Sequence, residues 1–219
     1  MEYLTLPQTD LKVSKIALGC MRIADKSIEE VEELVKTALE SGINFFDHAD
    51  IYAGGEAETV FGNALTPQLR EKMVIQTKCA IRPGICYDFS KEYILNSVDG
   101  SLKRLKTDYV DLYYLHRVDP KTPIELVAQT MKELMAEGKI KHWGLSEAGV
   151  ETIRKAHAIC PLTVVESEYS MIFREPEKNG LLDTLKELKI GFIPFAPLGK
   201  GFLTATIDPN QTFSKNDTR

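Results

Sequence analysis

The sequence predicts an α/β fold with a parallel sheet, either a (β/α) barrel or a doubly wound sheet. Three observations carry this prediction. Seven short strand-like runs alternate with segments of helical periodicity, the pattern of repeated strand–helix units. Most of the runs are apolar on both faces instead of alternating, as strands covered by helices should be. Polar residues able to do chemistry sit at the carboxyl ends of the runs, where barrel active sites lie. A doubly wound dinucleotide fold would show G-x-G-x-x-G after its first strand, and ALGCMRIAD (17–25) does not fit that pattern.

The elements follow in order. KIALGCM (15–21) is the first strand. Ser27 then precedes Ile28, Val31, Leu34, Val35, Ala38 and Leu39, which recur at helical spacing. Ser27 with Glu30 makes a capping box, and Gly42 supplies the stop. NFFDHA (44–49) and MVIQTKC (73–79) are the second and third strands. Segment 90–106 places Tyr93, Ile94, Val98, Leu102 and Leu105 on one helical face, and YVDLYYLH (109–116) follows as a strand. Segment 122–137 does the same with Leu126, Val127, Met131 and Leu134, ending at Gly138, before KHWGLS (141–146). A weaker helical pattern at 149–159 leads to TVVESEY (163–169). Leu181, Leu182, Leu185 and Leu188 mark a helix over 178–188, and Gly191 opens GFIPFAP (191–197). The stripes are core-facing surfaces.

Composition bounds the function. The chain has 219 residues, 43% hydrophobic and 27% charged, enough for one sizeable core, and no linker or low-complexity stretch divides it. One domain over 1–219 is therefore expected. No apolar run approaches the ~18 residues of a membrane span, and the first residues lack the pattern of a signal peptide. The net charge is −5 and no basic stripe stands out, which argues against a nucleic-acid partner. Cys20, Cys79, Cys86 and Cys160 form no C-x-x-C pair, and the histidines show no metal-ligand spacing. Free thiols in a reducing cytoplasm are expected.

Four strand-end residues stand out: Asp47 and Tyr52 in FFDHADIY, Lys78 in VIQTKC and His116 in DLYYLH. A carboxylate, a phenol, an ammonium and an imidazole converging at one end of a parallel sheet make a proton-donating site. A metal-dependent hydrolase would need more ligands there than His116 and His48.

DHADIY, QTK, YYLH, GLSE, SEYS and PLGKGFLT, in this order, resemble the aldo-keto reductase family from about residue 3 onward. The resemblance implies a (β/α)8 barrel of the TIM type and NADPH-dependent reduction of a small aldehyde or ketone. Such a barrel takes about 250 residues, and this chain reaches Arg219 soon after the seventh strand run. The expectation is an incomplete barrel of about seven units, without the eighth strand, the last helices and the pocket for the adenosine 2′-phosphate. Self-association through the open edge is a corollary. The alternative to an enzyme is a shortened, non-catalytic barrel acting by protein contacts or inactive.

The resemblance also assigns roles. Asp47, Tyr52, Lys78 and His116 match the catalytic tetrad, with Tyr52 as general acid. Lys78 would lower the phenol's pKa from about 10, Asp47 would hold Lys78, and His116 would orient the carbonyl. Gly19, Cys20, Met21 and Asp47 would approach the nicotinamide end of NADP(H). Ser146 and Glu147 would meet the carboxamide, although Ser146 is equally placed to cap the next helix. Glu166 stands where Gln is usual, and a carboxylate there would favour the oxidised, positively charged ring. Phe195 would stack on the ring. Ala196, Pro197, Leu198, Gly199, Lys200 and Gly201 would approach the pyrophosphate, the two glycines bringing backbone N–H groups close. Met21, Arg22 and Tyr87 are candidates for the substrate wall.

Overall fold

All seven apolar runs form strands of one parallel sheet. The computed structural model describes residues 1–208 and 210–212, so the single domain expected over 1–219 extends past the described residues. The chain starts with a hairpin, β1 (Tyr3–Thr5) and β2 (Lys12–Ser14), followed by β3 (Ala17–Gly19), α1 (Ile28–Glu40) and β4 (Phe45–Asp47). A 3-10 turn (Tyr52–Gly55) leads into α2 (Glu56–Ala64), α3 (Pro67–Arg70) and β5 (Val74–Cys79). A small hairpin, β6 (Ile81–Arg82) and β7 (Cys86–Tyr87), precedes α4 (Lys91–Leu105) and β8 (Val110–Leu115). Then come α5 (Ile124–Ala136), β9 (Ile140–Ser146), α6 (Val150–Ile159), β10 (Val164–Glu168), α7 (Leu181–Leu188) and β11 (Gly191–Phe195).

The spatial order β11-β10-β9-β8-β5-β4-β3 is the order of the chain, as in an unrolled barrel. The sheet is strongly curled. Glu166 on β10 and Gln76 on β5 are separated by β9 and β8, about 14 Å across a flat sheet. Yet Gln76 Nε2 reaches Glu166 Oε2 at 3.4 Å. Residues of both edge strands, β3 and β11, line one cavity of about 510 Å³. Among the described residues each of these two strands is paired on one side only.

The strand period of two decides what faces inward. Phe45, Val74, Leu112, Tyr114 and Val164 form an inner cluster, closed by Leu6, Leu11 and Val13 of the N-terminal hairpin. Two residues further along the same faces come Asp47, Gln76, His116 and Glu166, with Lys78 following Gln76. The hairpin thus closes the amino end with apolar side chains, and the carboxyl end carries the polar ones. The main core lies between the outer sheet face and the helices, where Phe46, Ile75, Tyr113, Trp143 and Val165 are buried.

The Ser27 capping box forms as expected, with Ser27 and Glu30 exchanging hydrogen bonds. Two residues depart from the expected stripes. Leu126 is 64% exposed and Ile28 is 44% exposed, because α5 and α1 bury the faces carrying Val127 and Val31 instead. The two hairpins and α2 have no counterpart among the expected elements. The hairpin strands are two or three residues long, and α2 buries Glu58 and Gly62 among its apolar residues, so no apolar stripe marks it.

Gly62 is where α2 meets α4: an added Cβ would lie 2.1 Å from Arg104 O, a backbone atom that cannot swing aside. Gly62→Ala is expected to destabilise by about 1–3 kcal/mol through overpacking. Ser27→Ala should cost about 1 kcal/mol through the lost cap. Urea midpoints measure both; a Gly62→Ala protein as stable as wild type would contradict this packing.

Candidate active site

The site is built around an ammonium in a place without water. Lys78, near the end of β5, is 0% exposed. Its Nζ pairs with Asp47 Oδ1 of β4, and donates to His48 O at 3.0 Å and to Tyr52 Oη at 3.4 Å. Glu166 Oε2 lies 3.7 Å away. Burial by itself would push the Lys78 pKa down, but Asp47, then Glu166 and Tyr52, more than offset it and hold the value above the ordinary lysine range.

Tyr52 reaches this ammonium from the 3-10 turn. Ala53, Gly54 and Gly55 there are left-handed, with φ of 51°, 66° and 94°, which returns the chain sharply into α2. Behind the turn, buried Glu58 accepts from Thr77 Oγ1 on β5 and from Arg104 Nε of α4 at 2.7 Å. That pairing ties the turn to the strand of Lys78. A lysine ammonium has donors only, so Tyr52 Oη accepts in their contact, and its own O–H is free to donate elsewhere. The phenol does not follow the expected direction. Burial outweighs the pull of Lys78, and Asp47 and Glu166 add to it, so the Tyr52 pKa is pushed up to about 12. The group stays a protonated donor at neutral pH.

His116 follows β8, with its ring 6.3 Å from that of Tyr52 and nearly perpendicular to it. Burial, reinforced by Lys78 and Arg117, lowers its pKa to about 3, so the imidazole is neutral at pH 7. Its Nδ1 is buried with no hydrogen-bond partner among the described residues. The four strand-end residues expected to converge therefore do meet.

One further residue belongs to the cluster, and a second stands beside the Glu58–Arg104 pair. Gln76 Nε2 donates to Asp47 Oδ1 and Glu166 Oε2, bridging β4 and β10. It lies two positions before Lys78 in QTK, on the same face, and that spacing was the available signal. Asp50, inside DHADIY, has a buried Oδ1 without a partner among the described residues; burial and the nearby Glu58 raise its pKa to about 7.

The remaining expected positions fall into two groups. Gly19, Asp47, Gln76, Glu166, Phe195, Ala196 and Pro197 line the 510 Å³ cavity. Ser146 is buried in register beside Glu166, and α6 is capped by Gly149, which removes the helix-cap role. The others are committed or outlying. Cys20 is fully buried, with its N–H donating to Asp47 O at 2.8 Å. Glu147 accepts from Glu168 N at 2.8 Å and pairs with Arg117 at 3.3 Å, so its carboxylate is already engaged. Met21, Arg22, Tyr87, Leu198 and Lys200 are exposed. The N–H groups of Gly199 and Gly201, expected to approach a pyrophosphate, donate to Ala196 O and Leu198 O inside their own turn. What these glycines supply is left-handed backbone, at φ of 58° and 98°.

Comparison with known proteins agrees with this architecture. The sequence model of the Aldo/keto reductase family matches residues 15–219. A soybean (Glycine max) protein described as probable aldo-keto reductase 1 is 42% identical over 200 residues, covering 87% of this chain and 58% of its own. This chain thus spans less than two thirds of that relative's length. Among solved structures, the glycerol dehydrogenase AKR11B4 from Gluconobacter oxydans superposes with a TM-score of 0.89 at 27% identity, over 99% of this chain and 70% of its own. The thermostable aldo-keto reductase Tm1743, in complex with the inhibitor epalrestat, gives a TM-score of 0.82 at 29% identity, over 92% of this chain and 74% of its own. With the family pattern matched over almost its whole length and the curled parallel sheet shared, the chain belongs to the aldo/keto reductase family.

Proposed function

We propose that this chain carries the site of an NADP(H)-dependent oxidoreductase that reduces aldehydes or ketones to alcohols, with Tyr52 as the proton donor. The observation that carries the reading is the Tyr52 phenol, kept protonated and 3.4 Å from an ammonium that is itself locked by Asp47. Reduction of a carbonyl requires a proton at oxygen as electrons arrive at carbon. Tyr52 supplies that proton through its free O–H. Lys78 then stabilises the phenolate left behind, at the moment when its charge appears. Neutral His116, edge-on to Tyr52, supplies a second donor that orients the carbonyl oxygen. When bound, the nicotinamide supplies the hydride.

The residues fit such a ring. The cavity follows the seam between β3 and β11, from Leu4, Leu6 and Val13 of the hairpin up to Gly19, Asp47, Gln76, Glu166 and the aromatic Phe195, and the ring would lie at this carboxyl end. Gly19 has nothing within 4 Å of where a Cβ would stand, which leaves room against its backbone. Gln76 Oε1 is buried without a partner among the described residues, an acceptor suited to an amide N–H. Lys200, in the exposed 3-10 turn Gly199–Thr204 with Glu168 4.0 Å away, is the cation that would meet a phosphate in this reading. The single domain over 1–219 and the cytoplasmic location belong to the same reading; four free cysteines favour a reducing compartment. No helix of the described residues is long and apolar enough to cross a membrane.

One observation favours a second reading, a barrel without catalysis that works by protein contacts: β3 and β11 leave strand edges unpaired among the described residues. Self-association through these edges goes with it. Detectable carbonyl reduction by the purified chain separates the two readings.

Tyr52→Phe is expected to lower turnover by about 10²–10⁴-fold, the usual size of a lost general acid, while the NADPH dissociation constant stays near wild type. Equal loss of both in stopped-flow and calorimetry would make Tyr52 structural. Lys78→Met should lower turnover similarly and also cost about 3–5 kcal/mol, since Asp47 and Glu166 lose their buried partner. A Lys78→Met protein with wild-type turnover would contradict the role of the ammonium.

A further inference from the structure

Glu166 is a buried charged group that the proposed reaction does not use. It lies on β10 and is 5% exposed. Two carboxylates, Glu166 and Asp47, share one ammonium and one amide NH2, those of Lys78 and Gln76. The pairing is uneven: Lys78 is in direct contact with Asp47, whereas Glu166 stands 3.7 Å off. With Glu166 ionised, the cluster of two carboxylates and one ammonium carries a net negative charge; with Glu166 protonated it is neutral.

The groups facing Glu166 come from every side. Asp47 lies on β4, Gln76 and Lys78 on β5, Tyr114 on β8, Glu147 just after β9, and Tyr52 on the 3-10 turn. Burial, opposed by Lys78 and aided by Asp47 and Glu147, brings the Glu166 carboxyl up to about 7. As the carboxylate held less closely by Lys78, it is the one of the pair that takes up a proton first as pH falls. The same residue lines the carboxyl end of the cavity with Gly19, Gln76 and Phe195, the end assigned above to the nicotinamide.

We infer that Glu166 is a proton-linked selector of cofactor redox state: ionised, it favours the positively charged oxidised nicotinamide, and protonated, it gives up that preference. The inference rests on the nicotinamide reading of the cavity. The oxidised ring carries one positive charge and the reduced ring none, so only the oxidised form gains from a carboxylate nearby. At protein-like dielectric a unit pair some ångströms apart is worth on the order of tenfold in affinity. By linkage, a ligand that prefers the ionised form must release a proton when it binds near the pKa. NADP+ binding should release a proton and NADPH binding should not.

The test is calorimetry of the whole 219-residue chain with NADP+ and with NADPH, in wild type and Glu166→Gln. It is run at about pH 6 and about pH 8.5, on either side of the carboxyl titration. Taking the ratio of the two dissociation constants cancels the titration of cofactor phosphates, which both forms share. In wild type the ratio should move toward NADP+ by on the order of tenfold as pH rises, and in Glu166→Gln it should stay flat. Buffers of different ionisation enthalpy near neutrality should show wild-type NADP+ binding releasing more protons than NADPH binding, a readout that needs no variant. A flat wild-type ratio, or a pH dependence that survives Glu166→Gln, overturns the inference while leaving the cofactor reading intact. A folded wild type that binds neither nucleotide overturns both.

Discussion

The buried ammonium of Lys78 is the constraint on which the rest depends. Taking such a charge out of water costs several kcal/mol unless partners surround it. Its partners come from four places in the chain: Asp47 on β4, the carbonyl of His48, Tyr52 on the following turn and Glu166 on β10. A flat sheet could not bring β10 to β5, so the curl that makes this a barrel wall is the same curl that solvates the ammonium. The apolar plug of Leu6, Leu11 and Val13 supports it from the amino end, excluding water below the polar layer. Site and fold are one arrangement here.

Burial also reassigns the acid–base roles. In water an ammonium beside a phenol lowers the phenol's pKa. In this dry pocket the two carboxylates and desolvation act against the ammonium, and the phenol remains a firmly protonated donor. In the reduction proposed above, Lys78 would act at the other end of the proton transfer, when phenolate appears, which is where electrostatic help lowers a barrier. Burial keeps His116 neutral, so it can orient an oxygen without adding charge. Burial instead raises two carboxyls, those of Glu166 and Asp50, well above the ordinary carboxylate range.

Much of this was legible in the sequence, and the part that was not has a physical cause. All seven sheet strands show as apolar runs, because strands buried on both faces need apolar residues throughout. The convergence of Asp47, Lys78 and His116 follows from their places at strand ends, and Tyr52 joins them from the turn after β4. The N-terminal hairpin escaped because strands of three residues carry too little periodicity. Helix α2 escaped because its buried face includes Glu58, whose partners Thr77 and Arg104 are distant in sequence. The direction of the Tyr52 shift was hidden for a related reason: proximity of Lys78 is readable from a motif, while the depth of burial belongs to the whole sheet. The commitment of Glu147 to Arg117 and to the Glu168 amide was equally invisible from local sequence.

The central claim is that this chain holds a nicotinamide cofactor beside a poised phenol. Isothermal calorimetry of the purified 219-residue protein with NADPH, and with NADH for comparison, tests it most directly. The account predicts a dissociation constant of about micromolar for NADPH, near −8 kcal/mol, with NADH binding showing how much the 2′-phosphate contributes. A folded chain that takes up neither nucleotide would contradict it, and the four polar residues would then be an ancestral arrangement without a task in this molecule.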